Sequence, residues 1–360
     1  MRRLGIEIHF LYITYRTQRL NQLIKETAKR KRFLIRVIGN LSVAFGVGLM
    51  LFTAHFLITN LIRLYNKSTI AVLLTPALPG ITIGPREIPY LLISVAITLL
   101  LHETSHAMAA WSEGIPVKNM GLFLAVLIPG AFVETDDDKF ADVGDLSKLR
   151  VLSSGPLANL ATAIVCIVLL SNFSLALSPL YETSPSGVLV VDVVDGGPAE
   201  RSGLTVGDVI YEVNERRTET LAQFSVEMSK VSPGDTVEMM TSIGRVVVNT
   251  VRRGARAIIG VVLSEYYCPK MRFLENRLGR QIPYHLLELV FWTYTIGLST
   301  AMFNMLPMYP FDGDQFLKVV TERIAQKRAS GIRRVCNAVF LGLMIANVTF
   351  SFIRIGLATI

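Results

Sequence analysis

His102 and His106, four residues apart with Glu103 beside the first, lie in the stretch "LLLHETSHAM" (residues 99–108) at the end of a long apolar run. On a helix such a pair shares one face, so both imidazoles can reach a single metal ion while Glu103 projects toward its open side. A bound Zn²⁺ brings the pKa of its water to about 7, and a neighbouring carboxylate can then take the proton and pass it to a leaving amine. That is the minimum equipment for peptide hydrolysis. Ionisable groups at membrane depth cost at least about 2.5 kcal/mol each, so three on one helical turn need a common purpose, and a metal supplies it. A catalytic zinc takes a third protein ligand. The other histidines, His9, His55 and His285, lie at the wrong depth, which leaves the turn "NMLPMYPFDGD" (residues 304–314). There Pro307 and Pro310 break the helix and Gly313 lets the backbone turn, so Asp312 is the natural ligand, with Asp314 as the alternative.

The elements that carry these residues are set by composition. The chain has 360 residues, 51% hydrophobic and 18% charged, with a mean hydropathy of +0.46. That is too apolar for an ordinary soluble enzyme. Five runs are long enough to cross a bilayer: Val37–Ile62, Ile88–Ala110, Leu149–Leu170, Pro283–Leu306 and Val335–Ile355. The net charge of +8 is concentrated before the first of them, from Arg2 to Arg36, which places the N-terminus in the cytoplasm and argues against nucleic-acid binding. Counting crossings puts residues 63–87 and 171–282 outside, and 111–150 and 307–334 inside. The last segment carries the basic excess of an inner loop, with Lys318, Arg323, Lys327, Arg328, Arg333 and Arg334. No cleavable signal peptide is expected. Cys166, Cys268 and Cys336 match no ligand spacing and read as apolar fillers.

Four segments depart from simple spans. Residues 121–133, "GLFLAVLIPGAFV", are too short to cross and are interrupted by Pro129-Gly130, as in a re-entrant hairpin or an interfacial loop. The basic segment 10–33 is amphipathic and expected along the inner membrane face, as is 314–326. Residues 184–264 alternate strand-like runs with turn signals and a short helix at 221–231, enough for a small independent domain.

The motifs HETSH (102–106), "IPGAFVE" (128–134), "SSGPLAN" (153–159) and "NMLPMYPFDGDQF" (304–316) together resemble the site-2 proteases, in the bacterial and archaeal form with an inserted PDZ domain. Phe311 stands where that family commonly has Leu. The resemblance implies zinc ligation by His102, His106 and Asp312 (one Zn²⁺ per chain) and general acid–base action by Glu103. It also implies that Asn304, Asn159, Gly155 and Gly130 shape the site or hold substrate backbone. In the PDZ-like segment, Gly187, Val188 and Leu189 resemble the carboxylate-capturing groove.

The expected architecture is an α-helical polytopic membrane protein of about five transmembrane helices with a re-entrant hairpin and an inserted α+β PDZ-like domain. Its parts are a basic amphipathic segment (1–36), a first span (37–62), a catalytic core in two pieces (88–171 and 283–316), the PDZ-like domain (184–266) and a C-terminal span (335–358). The expected activity is intramembrane proteolysis of single-span membrane proteins, pre-cut by another protease, in the lipid bilayer. A helix hides its amides, so substrates must unwind, and the hairpin edge could receive them as an added strand. A catalytically silent PDZ scaffold is the alternative. A metal transporter would need ionisable groups strung across the bundle, and the sequence has a single cluster.

Overall fold

The computed structural model describes residues 6–8, 12–125, 128–271, 273 and 279–358. His9 and residues Phe10 and Leu11 of the basic segment, and Val126 and Leu127 of the expected hairpin, lie outside the described residues.

In chain order the elements are β1 (Ile6–Ile8), β2 (Tyr12–Arg16), α1 (Gln18–Arg30), α2 (Arg32–Tyr65), α3 (Ile88–Glu113), β3 (Val117–Ala125), β4 (Ile128–Thr135), α4 (Asp137–Asp142) and α5 (Asp145–Ser171). There follow α6 (Phe173–Leu177), β5 (Gly187–Val193), α7 (Pro198–Arg201), β6 (Val209–Val213), β7 (Arg216–Arg217), α8 (Leu221–Ser229), β8 (Thr236–Thr241), β9 (Gly244–Asn249), β10 (Val251–Arg253), β11 (Arg256–Ile258) and β12 (Val261–Tyr266). The chain ends with α9 (Ile282–Asn304), α10 (Asp312–Ala325) and α11 (Ala329–Ala358). It divides into two compact units, residues 1–167 with 291–360, and residues 168–290.

The first unit is inverted relative to a soluble protein. Leu51, Phe45, Val165 and Phe33 are exposed, whereas Ser42, Thr53, Asn60, Ser94, Thr98 and Asn159 are fully buried. Apolar outside and polar inside is the pattern a hydrocarbon solvent imposes. Among the described residues, five stretches are long and apolar enough to cross a membrane: α2, α3, α5, α9 and the α10–α11 region. Each contains or overlaps one of the five apolar runs. Helix α3 opens with Pro89 in its first turn and stops at Gly114, whose φ of 85° is the left-handed conformation that ends a helix.

In its described residues the segment 121–133 takes the hairpin form the sequence suggests, built of strands rather than an irregular loop. It belongs to an antiparallel hairpin, β3 paired with β4, inside a four-stranded sheet of order β1-β2-β3-β4. The basic N-terminal segment begins as strand and continues as an amphipathic helix. Its first part is strand, pairing Tyr12 with Ala125 and Arg16 with Gly121. Its helix α1 buries Ile24 and Ala28 against Ala107, Ala110 and Ile115 at the end of α3. Sequence periodicity exposed the amphipathic face but not which partner would cover it. Likewise α10 buries Phe316 and Val319 on its apolar face.

The second unit is an antiparallel sheet of order β12-β5-β6-β8-β9, with β7 paired to β6. Val188, Val190, Ile210, Val213, Val237, Met239 and Val248 supply its core, closed by Phe224 of α8 and Leu204. Helix α8 starts at a capping box in which Thr220 accepts from the Gln223 N–H and Gln223 reaches back.

Candidate metal centre

Helix α3 brings His102 and His106 one turn apart, with their Nε2 atoms 3.0 Å from each other. The Asp312 carboxylate closes the group, its Oδ2 lying 3.3 Å from each Nε2. Among the described residues these three side chains form the one cluster of metal-ligating type. Gly313 makes the approach possible, since a Cβ there would lie 2.4 Å from the carbonyl oxygens of Met305 and Leu306. Only glycine lets the chain double back so tightly after α9.

Each imidazole is held from behind by α5. Val151 O lies 2.8 Å from His106 Nδ1, and the Asn159 side-chain amide lies 3.0 Å from His102 Nδ1. Between them Gly155 leaves room for both rings, because a Cβ there would fall 2.4 Å from His106 Nε2 and 2.7 Å from His102 Cε1. Positions 151, 155 and 159 are successive turns of one helix face, so α5 presents a carbonyl, a gap and an amide in register with the two rings. With Nδ1 engaged on each ring, Nε2 is the atom turned toward Asp312.

The residues fit a divalent cation. A tetrahedral ion with bonds of about 2.0–2.1 Å spaces its ligands by about 3.3 Å, and the three donor atoms stand at 3.0, 3.3 and 3.3 Å. Asp314, the alternative ligand, is turned away. Its buried carboxylate accepts from Arg333 and Asn337 on α11.

Glu103, half-buried on the same helix, lines a cavity of about 680 Å³ with His102, His106 and Asp312. Val133 of β4 offers its backbone N–H to the Glu103 carboxylate. The cavity continues past Thr135, Asp137, Lys148, Gln315, Lys318 and Glu322, so charged groups rim its far side. Asn304, the last residue of α9, sets its Nδ2 3.5 Å from His102 Nε2.

Asn159 is fully buried and Gly155 is buried, both serving the imidazoles rather than an open substrate surface. Gly130 sits beneath the ring of its cross-strand partner Phe123, whose Cζ would be 2.1 Å from an added Cβ. Sequence reading named Gly155 and Asn159 as residues that shape the site or hold substrate but missed Val151; the i, i+4, i+8 spacing through Gly155 was the available signal. It also missed Glu113, at the end of α3. That carboxylate is buried and receives Arg36 of α2 at 3.0 Å, Arg150 of α5 at 2.9 Å and Ser147 at 2.7 Å, which ties three helices together just beyond the histidines.

In the second unit the expected groove residues are corrected. Gly187, Val188 and Leu189 are buried in β5, which is paired on one side with β12 and on the other with β6. A strand with both edges occupied cannot accept another. The open groove, a cavity of about 590 Å³, instead lies between α8 and the β11–β12 segment, lined by Leu221, Phe224, Met228, Ile259, Val261 and Leu263. Here β12 is the edge strand of the sheet. The turn motif at 195–198 and the strand alternation revealed the domain, but the groove depends on strand order, which local sequence does not encode.

Comparison with known proteins agrees with this geometry. The chain is 28% identical over 266 residues to an uncharacterized protein of Methanocaldococcus jannaschii, covering 72% of this chain and 65% of that one. It is 29% identical over 207 residues to a membrane-bound transcription factor site-2 protease homolog of Arabidopsis thaliana, covering 56% and 39%. It is also 29% identical over 196 residues to the chloroplastic membrane metalloprotease ARASP of the same plant, covering 46% and 41%. The chain therefore spans between about two fifths and two thirds of the length of these relatives. A solved PDZ domain of an SdrC-like protein from Listeria monocytogenes is similar at 25% identity, covering 22% of this chain and 87% of that one with a TM-score of 0.20. The model of Peptidase family M50 matches residues 90–347, a span that takes in the histidine pair, the seat on α5 and the Asp312 turn, and the chain belongs to that family of membrane proteases.

Proposed function

We propose that this chain is an intramembrane zinc metalloendopeptidase that cuts transmembrane segments of single-span membrane proteins. The observation that carries the reading is Glu103 lining the same cavity as the His102–His106–Asp312 donors. Zinc held there supplies a water of lowered pKa and polarises the substrate carbonyl. Glu103 receives the proton from the attacking water and returns it to the leaving nitrogen. Asn304, beside His102, donates to substrate oxygen as charge develops on it. The rings stay fixed through these steps because Val151 and Asn159 hold their Nδ1 atoms.

The substrate must arrive as an extended strand, since an intact helix keeps its amides in its own hydrogen bonds. The outer edge of β4 has no strand partner among the described residues, and it runs beside Glu103. An unwound segment adds there by main-chain pairing, which favours substrates with helix-breaking residues. The basic segment before α2 supports an N-terminus in the cytoplasm, which by the count of crossings would put the PDZ-like unit on the other side of the membrane. The apolar groove along β12 suits an extended apolar chain end, such as a first cut by another protease would leave.

Detergent-purified chain, assayed for zinc per polypeptide and for cleavage of single-span test substrates with and without chelator, tests the reading. Glu103→Gln should keep zinc and lose cleavage by at least about 10²-fold. Retained cleavage would overturn the role of Glu103, and a zinc-free, inactive wild type would favour the silent scaffold.

A further inference from the structure

Asp314 stands two residues from a proposed metal ligand, is fully buried, and has no part in the chemistry described above. Its carboxylate is gripped from one side only, by α11. Arg333 Nε donates to Oδ1 at 2.7 Å, a second guanidinium nitrogen donates to Oδ2, and Asn337 Nδ2 donates to Oδ1 at 2.8 Å. Asn337 also accepts the backbone N–H of Tyr309 through Oδ1 at 2.6 Å. Two side chains one turn apart on α11 thus hold the turn on both sides of Asp312, at Tyr309 and at Asp314. Helix α11 is in turn anchored to α2 by a separate buried pair, Asn60 Nδ2 to Asn347 Oδ1 at 3.0 Å, with Asn347 Nδ2 on Leu57 O.

We infer that Arg333, Asn337 and Asp314 form a latch by which α11, which contributes no ligand, sets the position of the Asp312 carboxylate against the two histidines. The reasoning is geometric. Asp312 comes from the start of α10, while both imidazoles come from α3 and are backed by α5, so the support that α5 gives the rings does not extend to the turn that carries the carboxylate. The turn between α9 and α10 contains two prolines that cannot donate backbone hydrogen bonds, and a doubly hydrogen-bonded guanidinium adds directional constraint to the backbone bonds the turn keeps, such as Phe311 N–H to Met308 O at 3.0 Å. Arg333, Asn337 and Asp314 are therefore positioning residues, acting through Asp312.

The inference rests on Asp312 as a metal ligand, so zinc affinity of the full-length wild type, measured by competition with a zinc-binding dye, comes first. Arg333→Met and Asn337→Ala should then each weaken zinc binding at least about tenfold, the scale for residues that orient a ligand. Arg333→Lys, which keeps the charge but loses the fork, should restore part of it. Asn347→Leu loosens α11 from α2 without touching the turn; it should lower the melting temperature of the zinc-free protein and leave zinc affinity within about twofold of wild type. A wild type without zinc overturns the metal-site reading and the latch together. Wild-type zinc affinity in both Arg333→Met and Asn337→Ala overturns the latch alone, as does a loss in Asn347→Leu equal to theirs. Where Arg333→Met does not fold, Asn337→Ala decides.

Discussion

Gly155→Ala isolates the seat on α5 with a single methyl group. The new Cβ would stand 2.4 Å from His106 Nε2, 2.7 Å from His102 Cε1 and 2.8 Å from His102 Nδ1. Restoring ordinary contact at about 3.5 Å moves the rings away by about 1 Å. Neither ring can retreat freely, because Val151 O holds His106 at 2.8 Å and Asn159 holds His102 at 3.0 Å. A displacement of that size is several times the tolerance of about 0.2 Å for a metal–ligand bond. Zinc affinity should therefore fall by more than the roughly 10–100-fold usual for a substitution behind a ligand, and cleavage should fall with it. In the zinc-free protein the cost should be that of overpacking, about 1–3 kcal/mol. Gly48→Ala is the control: it lies in the membrane-spanning α2, nothing stands within 4 Å of the added atom, and helix propensity alone should stabilise it by up to about 1 kcal/mol. The assay is zinc per chain by mass spectrometry across a chelator series, beside thermal unfolding of both variants. Stoichiometric zinc at wild-type affinity in Gly155→Ala would refute the seat.

Asn159→Leu should lower zinc affinity about 10–100-fold while leaving the chain folded, read by the same dye competition. Glu113→Ala leaves Arg36 and Arg150 without their shared carboxylate, and unfolding in detergent should show a loss of about 3 kcal/mol. Burial holds the Glu265 carboxyl of β12 above the usual carboxylate range, against the N–H of Leu221, which favours ionisation. A raised folded-state pKa is stabilising below the ordinary value of about 4.3 and is lost as pH rises through the folded value; chemical unfolding of the PDZ-like unit should show this decline above pH 4, and Glu265→Gln should abolish it.

The part of the site that lies within one helix was fully legible in the sequence. His102, Glu103 and His106 follow from helical spacing, and their cost inside a lipid-facing run gives the spacing its meaning. Asp312 was reached through its turn, because prolines and a glycine constrain the chain locally. What stayed hidden depends on contacts between elements far apart in the chain. Asn159 and Gly155 read as substrate contacts until α5 is seen against α3, and Asp314 is distinguished from Asp312 only by Arg333. The same holds for the fold. Apolar runs gave five helices, but the N-terminal strand pairs with residues more than a hundred positions away, and no periodicity encodes such a partner. In the PDZ-like unit resemblance assigns Gly187, Val188 and Leu189 to the peptide groove, and alternation marks their strand without revealing its neighbours.

The first strands of the chain occupy one margin of the β3–β4 hairpin, so a peptide that pairs with this hairpin as proposed has only the outer margin of β4 to join. Pairing there can slip only in steps that keep the same side chains facing inward. Each step is two residues, or about 6.6 Å of travel. Secondary cleavage products should accordingly be ragged by pairs of residues, with odd-numbered offsets absent from their mass spectra.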